Sequence, residues 1–211
     1  IEALQQQVQK EQQLYLKVAE RITKSRRKAA KNLAQAVTNN IQQLGMGEGE
    51  FEIKLTALSE GGAHGMEQIE FMIQTNAGQS MQPLNKIASG GERSRISLAI
   101  QVVNADQQQR PTMIFDEVDV GIGGGVAEIV GNRLRSLADN RQVLCVTHLP
   151  QVAAQAHHHL QVSKTRGKDH TGTSIQALDE SARGQEIARM LGGVEITEQT
   201  LAHAEEMLSK A

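Results

Sequence analysis

The sequence predicts an α/β fold preceded by a long helical segment, and three observations carry that expectation. Two short apolar runs, TMIF at 112–115 and QVLCVT at 142–147, are separated by a helical pattern, the alternation of a parallel sheet covered on both faces. Residues 1 to 44 carry apolar side chains at heptad spacing and run to a glycine-rich stop. The first apolar run ends in Asp116, Glu117 and Asp119, carboxylates that repel one another unless a cation pairs with them.

The first element is helical. Its seam reads Ile1, Leu4, Val8, Glu11, Tyr15, Val18, Ile22, Ser25 and Ala29, and a second stretch continues through Leu33, Val37, Ile41 and Leu44 to GMGEG at 45–49. One long helix, or two broken near Ser25, satisfies this pattern. It reads either as an amphipathic helix packed on its own domain or as one strand of an antiparallel coiled coil whose partner lies upstream of Ile1. The chain opens without Met inside a helical pattern, which predicts a piece of a longer protein. The basic run KSRRKAAK, Lys24 to Lys31, is open to two readings, a contact to DNA phosphates or a solvated helix face.

FEIKL and QIEFMIQT alternate and read as antiparallel strands joined by a loose turn at SEGGAHG. NKIASGGERSRISLAIQVVNA supplies a turn and then a helix with Ile96, Ala99, Ile100 and Val103 on its apolar face. TMIF follows as a buried strand, GVAEIVGNRLRSLA as a helix, QVLCVT as a second buried strand and LPQVAAQA as a short helix. HLQVSK and TSIQAL are two further strands; RGQEIARMLGG and TEQTLAHAEEML close the chain as helices. The expected division is a helical segment, 1–44, leading into a lobe, 45–211.

Composition narrows the function. With 211 residues and 39% hydrophobic content the chain can bury a core, and its net charge of -2 carries no global signal for nucleic acid, although a local patch remains open. Aromatic residues make up 2%, too few for a surface that stacks bases. Cys145 is the single cysteine and reads as a small core residue; with no signal peptide or membrane-length apolar run, the expectation is a cytoplasmic setting.

The chemistry concentrates at strand ends. An apolar strand ending in Asp-Glu is the Walker B arrangement, in which Asp116 holds Mg²⁺ and Glu117 orients and deprotonates a water. Upstream, ASGGE at Ala88 to Glu92 opens a helix whose amides and Ser89 hydroxyl can reach an anion. Downstream, VTH puts His148 at the end of the next apolar strand, on the same sheet edge. Each member is ordinary alone; the ordered set is specific. His157, His158 and His159 alternate across a strand, so they cannot all ligate one metal.

That set resembles the ABC-type ATPase head of SMC-like proteins, in LNKIASGGERSRISLAIQ, IFDEVDVGIGGGVAEIVG, VLCVTHLPQVAAQAHHHLQVSK and EIARMLGG. The resemblance implies the carboxyl-terminal lobe of such a head, from an ATPase of DNA double-strand break repair and recombination. It further implies that Ser89, Gly90, Gly91 and Glu92 are the signature motif, touching the γ-phosphate of ATP held by the opposing head. Asp116 and Glu117 become Walker B, Asp119 the D-loop acid and His148 the switch histidine. The implied cofactors are ATP and Mg; the implied partners are a P-loop-bearing amino-terminal half, a second head in an ATP-dependent homodimer, and DNA. No membrane is implied, and the implied location is cytoplasmic and nucleoid-associated.

Arg93 departs from the resemblance, standing where an apolar Leu or Met is usual. No G-x-x-x-x-G-K-[ST] string is present: RGKDH at 166–170 lacks the earlier glycine and the hydroxyl residue, and GIGGG at 121–125 lacks the lysine. The chain alone is therefore expected to be inactive. Two other classes compete: a coiled-coil adaptor with a non-hydrolysing nucleotide fold, and a metal-dependent hydrolase using Asp116, Glu117 and the histidines.

Overall fold

No glycine or proline occurs before Gly45, and residues Glu2–Gln43 accordingly form one unbroken helix, α1, rather than two broken near Ser25. The structure is a computed structural model that describes residues 1–105, 112–166, 171–193 and 195–211. Gly45, at φ 84°, ends the helix in the left-handed conformation that glycine adopts without a Cβ clash. Two compact units follow from the packing: Ile1–Gln42 with Met46–Ala88, and Gln43–Gly45 with Ser89–Ala211.

In the first unit, β1 (Glu50–Gly62) pairs antiparallel with β2 (Gly65–Gln74), and the two-residue β3 (Gln82–Pro83) adds to β2. The register sets Phe51 opposite Ile73, Ile53 opposite Phe71 and Leu55 opposite Ile69, which gathers the apolar residues on one face. The hairpin lies along the helix: the Thr38 hydroxyl accepts from Phe51 N–H at 3.0 Å, Arg26 pairs with Glu67 at 3.0 Å, and the Tyr15 hydroxyl donates to Gly62 O at 3.0 Å. The expected loose turn is instead a tight one. Both strands continue through the glycines to a two-residue connection at Ala63 and His64, with a register shift between Ala57 and Gly62 and Gly65 at φ 104°. Val37 and Ile41 of α1 are fully buried, whereas Leu4, Val8, Val18 and Ile22 remain exposed along the seam. The hairpin groups with the helix.

The second unit holds α2 (Gly90–Val103), β4 (Thr112–Phe115), α3 (Gly124–Ala138), β5 (Gln142–Cys145), α4 (Pro150–Ala154), β6 (Leu160–Arg166), β7 (Thr171–Ala177), α5 (Glu180–Gly192) and α6 (Glu198–Ser209). β4 and β5 are parallel and in register from Thr112 with Gln142 to Phe115 with Cys145, the α/β arrangement the sequence predicts. Its helices begin at clear signals: Asp179 accepts from Ala182 N–H at 2.8 Å, Thr197 accepts from Thr200 N–H at 3.2 Å, and Pro150 stands in the first turn of α4. Fully buried Ile96 and Leu98 each contribute roughly 1.5–3 kcal/mol by leaving water.

Three expectations need correction. TMIF and QVLCVT are not buried on both faces: Met113 and Phe115 are buried, but Ile114 is 72% exposed, and Leu144 and Val146 are exposed too. Among the described residues no element covers that face, so the strands alternate instead of being apolar throughout. β6 and β7 form a separate antiparallel hairpin rather than extending the parallel sheet. On α2, Ile96 and Ala99 are buried as expected, but Leu98 and Arg95 complete the buried set while Ile100 and Val103 are only half-buried. Of the string at 166–170, residues 167–170 lie outside the described residues. No described helix is long and apolar enough to cross a membrane.

Candidate functional site

The site begins at the first turn of α2. Ser89 is its N-cap, in extended conformation, and its hydroxyl accepts from Glu92 N–H at 3.3 Å, satisfying one of the donors a helix start leaves open. Gly91 is required by close approach to backbone, whereas Gly90 faces the end of an exposed, flexible side chain. A Cβ at Gly91 would sit 2.9 Å from Val120 O, and one at Gly90 would overlap Glu117 Oε2 as that side chain now lies. The loop after β4 therefore presses against the start of α2, with the Glu117 carboxylate at the end of the helix dipole that favours negative charge.

That loop is held in an uncommon shape. Glu117 has φ 59°, the only positive value at a non-glycine among the described residues, and its N–H donates to Asp116 Oδ1 at 3.0 Å. Val120 N–H donates to Glu117 O at 3.3 Å and closes the turn, while fully buried Val118 anchors it from within. Arg95 Nη1 donates to Val120 O at 2.6 Å and ties the loop to α2. Burial pushes the Arg95 guanidinium below its ordinary value, against the opposing effect of Glu92. Sequence reasoning passed over Arg95; its signal was the spacing Gly91, Arg95, Leu98, which puts it on the buried face.

Asp119 organises the other side. It is 2% exposed and accepts from the Thr147 hydroxyl and, at 3.0 Å, from His148 N–H. His148 Nδ1 lies 3.3 Å from Asp119 Oδ2, and the rest of the ring faces solvent. One buried carboxylate thus orients the segment after β5, and Thr147, which the sequence reading did not single out, is its second ligand. β5 ends at Cys145, so His148 stands three residues past the ladder rather than at its end, although Val146 N–H still donates to Phe115 O at 3.0 Å. Cys145 is half-buried, not a core residue; burial first, then the charges of Asp119 and Asp116, push its thiol up to about 12.

The structure brings Gly90 to Glu117, Gly91 to Val120, and Asp119 to His148. Asp116 and Glu117 are exposed at the carboxyl end of β4. Among the described residues no group of three or more His, Cys, Asp or Glu could hold a metal by itself, and the neighbouring histidines His157, His158 and His159 form none. The donor chemistry at Asp116 nonetheless fits Mg²⁺, which takes one or two carboxylates, keeps several waters and completes its shell with phosphate oxygens. Arg93 is exposed, and its N–H donates to Ser89 O at 3.2 Å, so the departure from an apolar residue leaves the helix start intact.

The chain is similar in sequence to DNA repair proteins. It is 53% identical over 188 residues to DNA repair protein RecN of Haemophilus influenzae, covering 89% of this chain and 34% of that protein. It is 45% identical over 203 residues to RecN of Vibrio cholerae, covering 94% of this chain and 36% of that protein. The chain thus spans about a third of the length of the curated relatives it matches. No family model matches. Among solved structures, the Smc head domain with a coiled coil and joint from Pyrococcus yayanosii aligns with a TM-score of 0.57 at 16% identity, over 88% of this chain and 35% of that one. A chain from work on ATP-driven dimerization and DNA-stimulated activation of SMC ATPases aligns with a TM-score of 0.51 at 16% identity, over 80% of this chain and 96% of that one. The fold is that of an SMC head domain.

Proposed function

From the premise that this chain is a relative of RecN along nine-tenths of its own length, we propose that it forms the carboxyl-terminal lobe of an SMC-like ATPase head acting in DNA double-strand break repair and recombination. The observation that supports this best is the Asp116–Asp119 loop, packed at one end on the Ser89–Gly90–Gly91 helix start and at the other on His148. The absence of a G-x-x-x-x-G-K-[ST] string means that the phosphate cradle comes from another part of the same protein. Residues 1–44 lead from a coiled coil into the lobe, the partners are that other part of the head, a second head and DNA, and the setting is the cytoplasm around the nucleoid.

When bound, a magnesium nucleoside triphosphate supplies the phosphoanhydride to be broken. Asp116 is the carboxylate that holds the cation. Glu117 takes a proton from water on its carboxylate, and its left-handed backbone sets the direction of that carboxylate. Ser89, Gly90, Gly91 and Glu92 present the start of α2 to an anion held by the opposing head, where the glycines let backbone amides come close. His148, steered by buried Asp119, is the residue that would meet the phosphate as the switch histidine.

The test is Glu117→Gln in the full-length protein, followed by phosphate release and size-exclusion chromatography with Mg-ATP. Removing the base while keeping the shape should lower turnover on the order of 10²- to 10⁴-fold, and the ATP-dependent dimer should accumulate. Unchanged turnover would remove Glu117 from the chemistry. Nucleotide binding without any turnover by the unmodified full-length protein would favour an adaptor that binds nucleotide without hydrolysis.

A further inference from the structure

β1 ends the three-stranded sheet of the first unit, and its outer edge is open. The Thr38 hydroxyl accepts from Phe51 N–H at 3.0 Å and donates to Phe51 O at 3.4 Å, so both backbone groups of Phe51 point away from β2. In an antiparallel ladder that direction repeats at every second residue, and the register runs unbroken from Glu50 to Ala57. Ile53, Leu55 and Ala57 therefore turn their N–H and C=O groups outward too. No strand among the described residues lies alongside them.

Helix α1 runs antiparallel to β1, with Thr38 beside Phe51 and Tyr15 beside Gly62. A rise of about 1.5 Å per helical residue and about 3.3 Å per strand residue sets Ala34 near Ile53 and Ala30 near Leu55. Thr38 reaches the edge and satisfies it; the two alanines have nothing to reach with. They leave a groove of about 620 Å³ between helix and strand, walled by Ala30, Lys31 and Ala34 and floored by the half-buried Ile53 and Leu55. Thr38 closes one end. An edge of unpaired backbone donors and acceptors beside an apolar floor is a template for another strand.

The charges on the rim select the occupant. Glu50, Glu52 and Lys54 alternate with the floor residues and are exposed on the other side of the strand. Lys54 stands opposite Glu70 on β2, a cross-strand pair of opposite sign, but Glu52 stands opposite Met72 and Glu50 opposite Gln74. Two carboxylates at the edge are left without a cation across the ladder. A second copy of this chain fits poorly, because pairing β1 with β1 would set the sides of two α1 helices that carry Lys24, Arg27 and Lys31 against each other. A strand with apolar residues toward Ala30 and Ala34 and basic residues toward Glu50 and Glu52 satisfies backbone, floor and rim together. We propose that the groove takes an extended segment of a partner protein as a fourth strand on β1, about five residues in which apolar side chains alternate with basic ones. The proposal goes beyond the ATPase reading and does not depend on it.

The experiment uses full-length protein and two blocked fluorescent peptides, Thr-Val-Lys-Val-Lys-Val-Thr and its counterpart with glutamate in place of lysine. Binding is read by anisotropy, and amide hydrogen exchange by mass spectrometry. The lysine peptide should bind roughly fivefold more tightly than the glutamate peptide and slow exchange at residues 53–57. Glu52→Lys should reverse that preference. Ala34→Leu, which fills the groove and leaves the edge itself unaltered, should weaken the lysine peptide about tenfold or more. No binding of the lysine peptide at about 1 mM, equal binding of both peptides, or unchanged binding by Ala34→Leu overturns the proposal. Slow exchange at 53–57 before any peptide is added would mean that another part of the same protein already covers the edge, and would overturn a partner strand. Should Ala34→Leu fail to fold, exchange in the unmodified protein decides: protection by the lysine peptide confined to 53–57 supports the groove, and none there overturns it.

Discussion

Asp119 shows how much one side chain can organise. Its carboxylate is buried and receives the Thr147 hydroxyl and the His148 amide, with the His148 ring nitrogen alongside. Asp119→Asn replaces one acceptor oxygen with an amide group that faces donors, leaving buried polar atoms unmatched. The expected loss is about 1–3 kcal/mol, read as a lower urea midpoint with an unchanged m-value. An unchanged midpoint would mean that these hydrogen bonds add nothing to the folded state. At this scale the sequence was legible wherever chemistry is local: Ser89 reads as a cap and Asp116 as a strand end from their neighbours alone. Arg95 and Thr147 were not legible as site residues, because their partners, Val120 and Asp119, are more than twenty residues away in sequence.

Elements met their expectations where period and punctuation agree. The α1 heptads and the strings RGQEIARMLGG and TEQTLAHAEEML read as helices and are helices, while the burial of β4 and β5 was overestimated because an apolar run does not say whether both faces find cover. The link between the β6–β7 hairpin and α5 is polar and local to the second unit. Glu186 accepts from Gln161 at 2.6 Å and from Arg189 at 2.7 and 2.8 Å. The hydrogen bond from Arg189 is the main cause that holds this carboxyl below its ordinary value of 4.5. A lowered folded value means that the stabilisation is complete above the unfolded value and lost as pH falls through the folded one. Glu186→Gln should therefore lower stability near pH 7, by roughly 1 kcal/mol given the exposure of Arg189, and flatten the acid limb below about pH 4.5. Urea midpoints across pH check it; parallel acid limbs in both proteins would dissociate Glu186 from acid sensitivity.

For the whole molecule, the α/β class and the order of the motifs were legible, and the grouping was not. Nothing in the local pattern of residues 50–74 says that the hairpin straps onto α1 through Thr38, Arg26 and Tyr15, contacts that join residues 13 to 47 apart. The left-handed backbone at Glu117 has a consequence for selection. A side chain with a Cβ pays about 1–2 kcal/mol in that region, and the conformation suits glycine or asparagine better. On the proposed role of Glu117 as the base, Glu117→Gly in the full-length protein should leave the urea midpoint unchanged or raise stability by up to about 1 kcal/mol, while turnover disappears. A fall of more than about 1 kcal/mol would show instead that the carboxylate against Gly90 supports the fold. If the midpoint holds, thermal enrichment of a mutant library would keep returning inactive proteins altered at residue 117. Hardiness and turnover would then be competing demands on one backbone angle, and only a screen that scores catalysis alongside heat resistance could hold that glutamate in place.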